Sequence, residues 1–101
     1  MIHEVAEITV KAGEEVNFEN GVAQAAPLFL RAKGCHGIAL HRVIEDRAIY
    51  RLLVEWETVE NHLVDFRGSA DFQEWRRLVG LFLANPPVVT HTEVRASYLA
   101  K

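Results

Sequence analysis

The sequence predicts an α+β fold of the split βαβ type, in which an antiparallel four-stranded sheet carries its helices on one face. Three observations lead to it. Runs rich in β-branched or alternating apolar residues occur at 2–10, 38–44, 48–56 and 88–96. Segments with helical spacing lie between them, giving the order β-α-β-β-α-α-β. The two central runs are separated by only three residues, which is typical of a hairpin.

Length and composition limit the classes of protein to consider. A chain of 101 residues, 50% hydrophobic and 25% charged, is expected to form one ordered domain over 1–101. Its net charge of −3 argues against binding nucleic acid. No apolar run approaches the ~18 residues of a membrane span, and the first residues lack the basic and then apolar pattern of a signal peptide, so neither export nor membrane insertion is expected. With a single cysteine, a cytoplasmic location is expected.

The first strand and first helix are predicted over 2–10 and about 14–33. Apolar residues recur at helical spacing in the second segment, and acidic residues occupy its first turn, where the helix dipole favours them. Pro27 falls inside this pattern. A kink or a restart is therefore expected near Ala26.

The third strand has two apolar faces. Tyr50, Leu52, Val54 and Trp56 share one face, while Ile49 and Leu53 share the other with Arg51 and Glu55. Helices on one face of the sheet explain only the first set. The second set indicates that the sheet of another subunit covers the opposite face.

Two further helices are predicted before the last strand. Thr58 is a plausible N-cap for a short helix that ends at Gly68. Ser69 can cap the next helix, whose apolar stripe runs through Phe72, Trp75, Val79 and Phe82 until the prolines at 86–87.

Short signatures of nucleotide, metal and thiol chemistry are missing. There is no GxGxxG, GxxxxGK[ST], HExxH or CxxC. Gly34-Cys35-His36-Gly37 matches the bare GxxG of an RNA-clamping loop but lacks basic neighbours. No cofactor and no metal are therefore expected, and Cys35 is interpreted as a small packed residue.

Four stretches carry a family resemblance: GCHGIALHR at 34–42, LVEWETVENH at 53–62, FRGSADFQEWR at 66–76 and PPVVTH at 86–91. In this order and spacing they resemble the antibiotic biosynthesis monooxygenase family, over about residues 2–95. The resemblance implies a ferredoxin-like βαββαβ subunit that pairs into a homodimeric α+β barrel. It also implies oxygenation of an aromatic or quinol-type substrate, without metal or flavin, in a pocket between sheet and helices.

Some members of that family degrade haem with an Asn, a Trp and a His around the porphyrin. The corresponding positions here hold Ala6, Phe66 and Arg76. This difference argues against haem as a ligand.

His62, His41 and His91 are the candidate catalytic residues. His62 is the polar member of an apolar helical stripe formed with Val59, Leu63 and Phe66, so its imidazole should face the core or a cavity. There it can accept a phenolic or α-carbonyl proton near neutral pH. A packed histidine with a structural hydrogen bond is the simpler alternative for each. The strand parity of His41 and His91 does not decide which sheet face they occupy.

Flat apolar walls for an aromatic ligand are expected from four side chains, and a polar contact from a fifth. These substrate-binding candidates are Trp56, Phe66, Phe72, Trp75 and Arg76, with Arg67 beside them. Core packing and surface ion pairs explain the same residues without a ligand.

The family resemblance therefore implies a cofactor-independent monooxygenase that acts on a small aromatic, anthrone or quinol, and a histidine in an aromatic pocket is compatible with it. A non-catalytic dimer that binds a small metabolite, or that serves as an interaction module, remains the alternative.

Overall fold

The computed structural model describes all residues from 1 to 101. Four strands alternate with helical segments along the chain. They are β1 (Ile2–Thr9), α1 (Glu15–Leu30), β2 (Cys35–Arg42), β3 (Ile49–Trp56), a π-helical segment (Asn61–Phe66), α2 (Ala70–Val79), a 3₁₀ turn (Gly80–Phe82) and β4 (Val88–Glu93).

The strands form one antiparallel sheet in the order β2-β3-β1-β4. The central pair aligns Ile2 with Trp56 and Thr9 with Ile49, and β4 pairs with the other edge of β1. The predicted α+β, ferredoxin-like architecture is confirmed.

Alternation along β3 separates the two faces of the sheet. Tyr50, Leu52, Val54 and Trp56 are buried under the helices, whereas the residues between them are exposed or half-buried. Side chains from β1 and α1 complete this core, in which Phe18 packs on Tyr50 at a ring-centroid distance of 4.9 Å. The opposite face of the sheet is not covered by any element of this chain.

Both predicted helix caps form. Asn61 N–H donates to Thr58 Oγ1 at 3.2 Å, and the Asn61 side chain accepts the Thr58 backbone N–H in return. Phe72 N–H donates to Ser69 Oγ at 3.1 Å. The helix after Thr58 differs from expectation, because from Asn61 onward it is π-helical and therefore wider than an α-helix.

The expected restart at Pro27 does not occur. Helix α1 continues from Glu15 through Pro27 to Leu30. Pro27 lies in the last turn, so its missing N–H removes one hydrogen bond near an end that soon stops. Likewise, α2 ends at Val79, and Phe82 belongs to the 3₁₀ turn rather than to the helix.

Gly34 explains the start of the GxxG motif. Its φ of +80° is a conformation that residues with a Cβ rarely adopt, and an added Cβ would lie only 2.1 Å from Asn61 Oδ1. Its carbonyl accepts the Glu57 N–H at 2.7 Å. The glycine therefore allows the turn into β2 to pack directly against the cap of the π-helical segment.

No helix is both long and apolar enough to cross a membrane.

Candidate functional site

A cleft of about 640 Å³ separates the covered sheet face from α2. Strand β1 forms its floor, α2 forms its roof, and the loop that leads into β4 closes one side. Its principal lining residues are Glu4, Ala6, Ile8, Leu52, His62, Arg67, Phe72, Trp75, Arg76, Val79, Leu83, Asn85, Pro86 and Val89. The volume lies within the range of about 300–1,000 Å³ that is usual for small-molecule sites.

Glu4 is the acidic residue in this otherwise apolar floor. It is only 4% exposed and shares the covered face of β1 with Ala6 and Ile8. Its Oε1 accepts a hydrogen bond from Trp56 Nε1 at 3.0 Å. The indole therefore fixes one oxygen of the carboxyl group.

The second oxygen of Glu4 is free. Oε2 accepts no hydrogen bond within the chain. Since every fully buried side-chain nitrogen or oxygen has a hydrogen-bond partner, Oε2 must be accessible. Because Glu4 lines the cleft, Oε2 is the oxygen that opens toward it. A ligand in the cleft can thus contact a carboxyl oxygen whose neighbour is already held in place.

His62 lies beside Glu4 and is 3% exposed. Its ring stacks on Trp56, with centroids 5.5 Å apart and planes inclined by 15°. Nε2 approaches Glu4 Oε1 at 3.2 Å, and Nδ1 lies 2.8 Å from His91 Nε2. Glu4, His62 and the half-buried His91 therefore form a row of neighbouring polar side chains, in which a hydrogen bond joins the two imidazoles.

Burial shifts the pKa values of Glu4 and His62 in opposite directions. It raises the pKa of Glu4 above its usual value, against the opposing effects of the Trp56 hydrogen bond and the Arg67 charge. Burial lowers the pKa of His62 to about 4, and the nearby His91 and Arg67 add to the decrease. At neutral pH, His62 is uncharged, while Glu4 is a stronger base than an ordinary carboxylate.

The π-helical segment places His62 at the end of the cleft. The His62 carbonyl accepts the backbone N–H of Arg67, five residues later, at 3.0 Å. The wider turn thereby connects the buried imidazole with an arginine that lines the same cleft.

The predicted aromatic residues divide into two groups. Phe72 and Trp75 line the cleft as expected, together with Arg76 and Arg67. Trp56 and Phe66 do not, because both are buried behind its wall, where their rings pack at 5.5 Å. The interpretation of these two side chains as direct ligand contacts is corrected. Trp56 acts on the site through Glu4 and His62 instead.

The three candidate histidines also divide. His62 and His91 meet, because Glu4 and His91 are register partners on the covered face. His41 is exposed on the opposite face, where its register partner is Arg51. The expected grouping of His41 with the other two is therefore corrected by strand parity.

No group of three or more His, Cys, Asp or Glu side chains is arranged to hold a metal ion. In the row of Glu4, His62 and His91, the two imidazole nitrogens of His62 lie near different neighbours, one near Glu4 and the other near His91. Cys35 is half-buried, and its burial raises the pKa of the thiol, which disfavours the thiolate.

Glu4 is the site residue that sequence reasoning missed. A glutamate in an alternating strand is normally on the solvent side. Its parity carried the available signal, since Glu4 shares a face with Ala6 and Ile8.

The sequence matches a known protein family. The family model described as antibiotic biosynthesis monooxygenase matches residues 1–78. The chain belongs to the antibiotic biosynthesis monooxygenase family. Protein YczJ of Bacillus subtilis strain 168, itself uncharacterised, is 42% identical over 91 residues, which cover 90% of this chain and 96% of YczJ.

Proteins of other organisms whose structures are solved have the same fold as this member of the antibiotic biosynthesis monooxygenase family. A crystal structure from Bordetella bronchiseptica that bears the family's name is 61% identical, with a TM-score of 0.93, covering 94% of this chain and 97% of that one. A variant of SnoaB from Streptomyces nogalater, described as a cofactor-independent oxygenase, has a TM-score of 0.81 at 18% identity, covering 95% and 94%. The latter likeness concerns the fold alone.

Proposed function

We propose that this protein is a monooxygenase that uses O₂ directly on an electron-rich aromatic substrate, such as a phenol, an anthrone or a quinol, bound in the cleft. One observation carries the proposal. A buried carboxyl group with a raised pKa presents a free oxygen to an apolar cleft of ligand size. Family membership supports an oxygenase, and the chemistry of the cleft supports the substrate class.

Proton removal is the first step of the proposed reaction. Glu4 Oε2 accepts the acidic proton of the substrate, while Trp56 Nε1 continues to donate to Oε1. Phe72 and Trp75 hold the ring and exclude water, which strengthens each remaining polar contact. The product of this step is a phenolate or carbanion.

Oxygen then reacts with the electron-rich anion. Transfer of one electron to O₂ and recombination of the two radicals form a carbon–oxygen bond and a peroxide anion, which takes the proton back from Glu4. For an anthrone, loss of water from the hydroperoxide converts the CH₂ carbon into a ketone. One oxygen atom enters the product and the other leaves as water, so O₂ is the only oxidant, and the substrate supplies all four electrons.

His62 and His91 support Glu4 in this proposal. Uncharged His62 lies with Nε2 3.2 Å from Glu4 Oε1, where it adds no positive charge that would lower the basicity of the carboxylate, and its Nδ1 is held by the hydrogen bond with His91 Nε2 at 2.8 Å. The predicted role of His62 as the base itself is less favoured, because a pKa of about 4 makes it a weak base.

A homodimer formed through the open sheet face completes the proposal. Val5, Ile49 and Leu53 leave apolar surface there, interspersed with Glu7 and Arg51. Each subunit would retain its own cleft, since the cleft lies on the covered face.

Oxygen uptake with a panel of reduced naphthoquinones and anthrones tests the function. Wild type should consume O₂ above the autoxidation rate, and Glu4→Gln should lower kcat by about 10²-fold or more. Glu7→Gln is the matched control, because Glu7 lies on the same strand but faces the other side and pairs with Arg51. His62→Gln should lose less than Glu4→Gln.

The outcomes separate the alternatives. Saturable binding of these compounds without oxygen uptake would favour the metabolite-binding module. A complete loss in His62→Gln combined with full activity in Glu4→Gln would make His62 the base.

A further inference from the structure

Two arginines line the cleft without any carboxylate partner. Arg67 and Arg76 both border it, and neither forms an ion pair. Five of the eight arginines are paired, namely Arg31, Arg42, Arg51, Arg77 and Arg95. Of the three without an ion pair, two line the cleft, and the third, Arg47, lies in the turn between β2 and β3.

Arg76 occupies a position that packing does not require. It lies on the cleft side of α2 with Phe72, Trp75 and Val79, at the spacing of one helical face. The next residue, Arg77, does not line the cleft and pairs with Glu74 along the helix. Of these two neighbouring exposed arginines, one forms a surface ion pair, and the other borders the cleft without a partner.

Arg67 lies near the reacting end of the cleft. It lines the same cleft as Glu4 and His62, and its charge acts on both. Its backbone is fixed by the hydrogen bond from its N–H to the His62 carbonyl. Its side chain has no partner within the chain.

We infer that Arg67 and Arg76 form an anion subsite and that the natural ligand is an aromatic compound bearing a carboxylate. Guanidinium groups bind carboxylates through paired, charge-assisted hydrogen bonds, and an apolar floor suits the ring that carries the acid. The inference deepens the proposed function and rests on it for the identity of the cleft as the substrate site. It specifies that the substrate carries a carboxylate, which is negatively charged at neutral pH.

The same charges favour an anion over a neutral ligand. The other ionisable groups that line the cleft are His62, which is uncharged at neutral pH, and Glu4, which when ionised offsets only one of the two arginine charges. The cleft is therefore cationic at its rim, although the whole chain has a net charge of −3.

A matched pair of probes, titrated under anaerobic conditions, tests the inference without requiring turnover. Calorimetric titration should show that 1-hydroxy-2-naphthoate binds wild type at least about tenfold more tightly than 1-naphthol, which lacks the carboxylate. Arg67→Gln and Arg76→Gln should each remove most of this preference and leave 1-naphthol binding nearly unchanged. Arg77→Gln should behave as wild type.

Equal affinity for the two probes, or a preference that survives in both variants, would overturn the inference. So would a failure of 1-hydroxy-2-naphthoate to bind wild type. Because the assay involves no oxygen, its result is independent of the proposed reaction. Oxygen uptake with a neutral quinol and no carboxylate preference would refute the subsite alone, and carboxylate preference without any uptake would refute the oxygenase alone.

Discussion

Glu4 shows how a single residue can give a strand a chemical function. A carboxyl group 4% exposed on an apolar strand face is retained here with one oxygen bound to the Trp56 indole and the other open to the cleft. Sequence periodicity correctly placed His62 toward the interior, because a helical stripe has a defined apolar side. It could not pair His62 with Glu4 and His91, since that contact depends on strand register between segments distant in the chain.

The ionisation of His62 provides a prediction at the residue scale. Its imidazole should titrate in the native protein with a midpoint of about 4 rather than 6.5, because burial opposes the charged form. Between these pH values the unfolded chain binds a proton at this residue and the native chain does not. The contribution of His62 to the free energy of unfolding is therefore fully present above pH 6.5 and is lost as the pH falls toward 4.

An NMR titration of the imidazole protons measures the midpoint directly, and His62→Gln identifies the resonance. Urea unfolding between pH 4 and 7 provides the stability effect as a difference between wild type and His62→Gln. The variant is needed because Glu4 also contributes to the pH dependence of stability. Its raised pKa makes the free energy of unfolding fall as the pH rises just above 4.5, opposite to the effect of His62. A His62 midpoint at or above 6.5 would contradict the assignment.

Element order follows from local patterns more reliably than element ends do. Alternation and helical spacing predicted every strand, and the Thr58 and Ser69 caps were identified from residue type alone. The π-helical turn at 61–66 was not, because residue type does not distinguish it from an α-helical turn. The continuation of α1 through Pro27 was not, because the pattern did not show that Pro27 lies in the last turn. The loop at 83–87 that closes the cleft likewise has no periodic signal.

Gly34 provides a prediction at the element scale. Gly34→Ala combines a left-handed backbone conformation with a Cβ placed against the Asn61 side chain, so we expect a loss of about 2–4 kcal/mol in the free energy of unfolding. Gly13→Ala is the matched control, since Gly13 has a φ of +86° but nothing within 4 Å of the added Cβ. The control should lose only about 1 kcal/mol, from backbone strain alone.

Denaturant unfolding of the two variants measures the difference. Equal losses in Gly34→Ala and Gly13→Ala would show that contact with Asn61 contributes nothing.

The whole molecule has one covered sheet face and one open face, and the sequence predicted this division from the two apolar sides of β3. It predicted the fold because each strand carries its own periodic pattern. It could not establish the homodimer, because the pattern shows that the open face is partly apolar but not which surface packs against it.

The proposed dimer is tested by sedimentation equilibrium. Wild type should have about twice the 11.4 kDa chain mass at micromolar concentration. Leu53→Glu, in the middle of the open face, should shift the protein toward monomer by burying an unpaired charge at the interface. Val16→Glu, at an exposed position on α1, should remain dimeric. A wild-type monomer under these conditions would exclude the dimer.

The central claim is that Glu4 removes a proton from a ligand held in the cleft, and anaerobic mixing with an anthrone tests it before oxygen can react. Wild type and Glu7→Gln should convert the bound anthrone to its conjugate base, detected by the absorbance of the anion. Glu4→Gln should bind the anthrone and leave it in the neutral form. Equal formation of the anion by Glu4→Gln and wild type would contradict the claim.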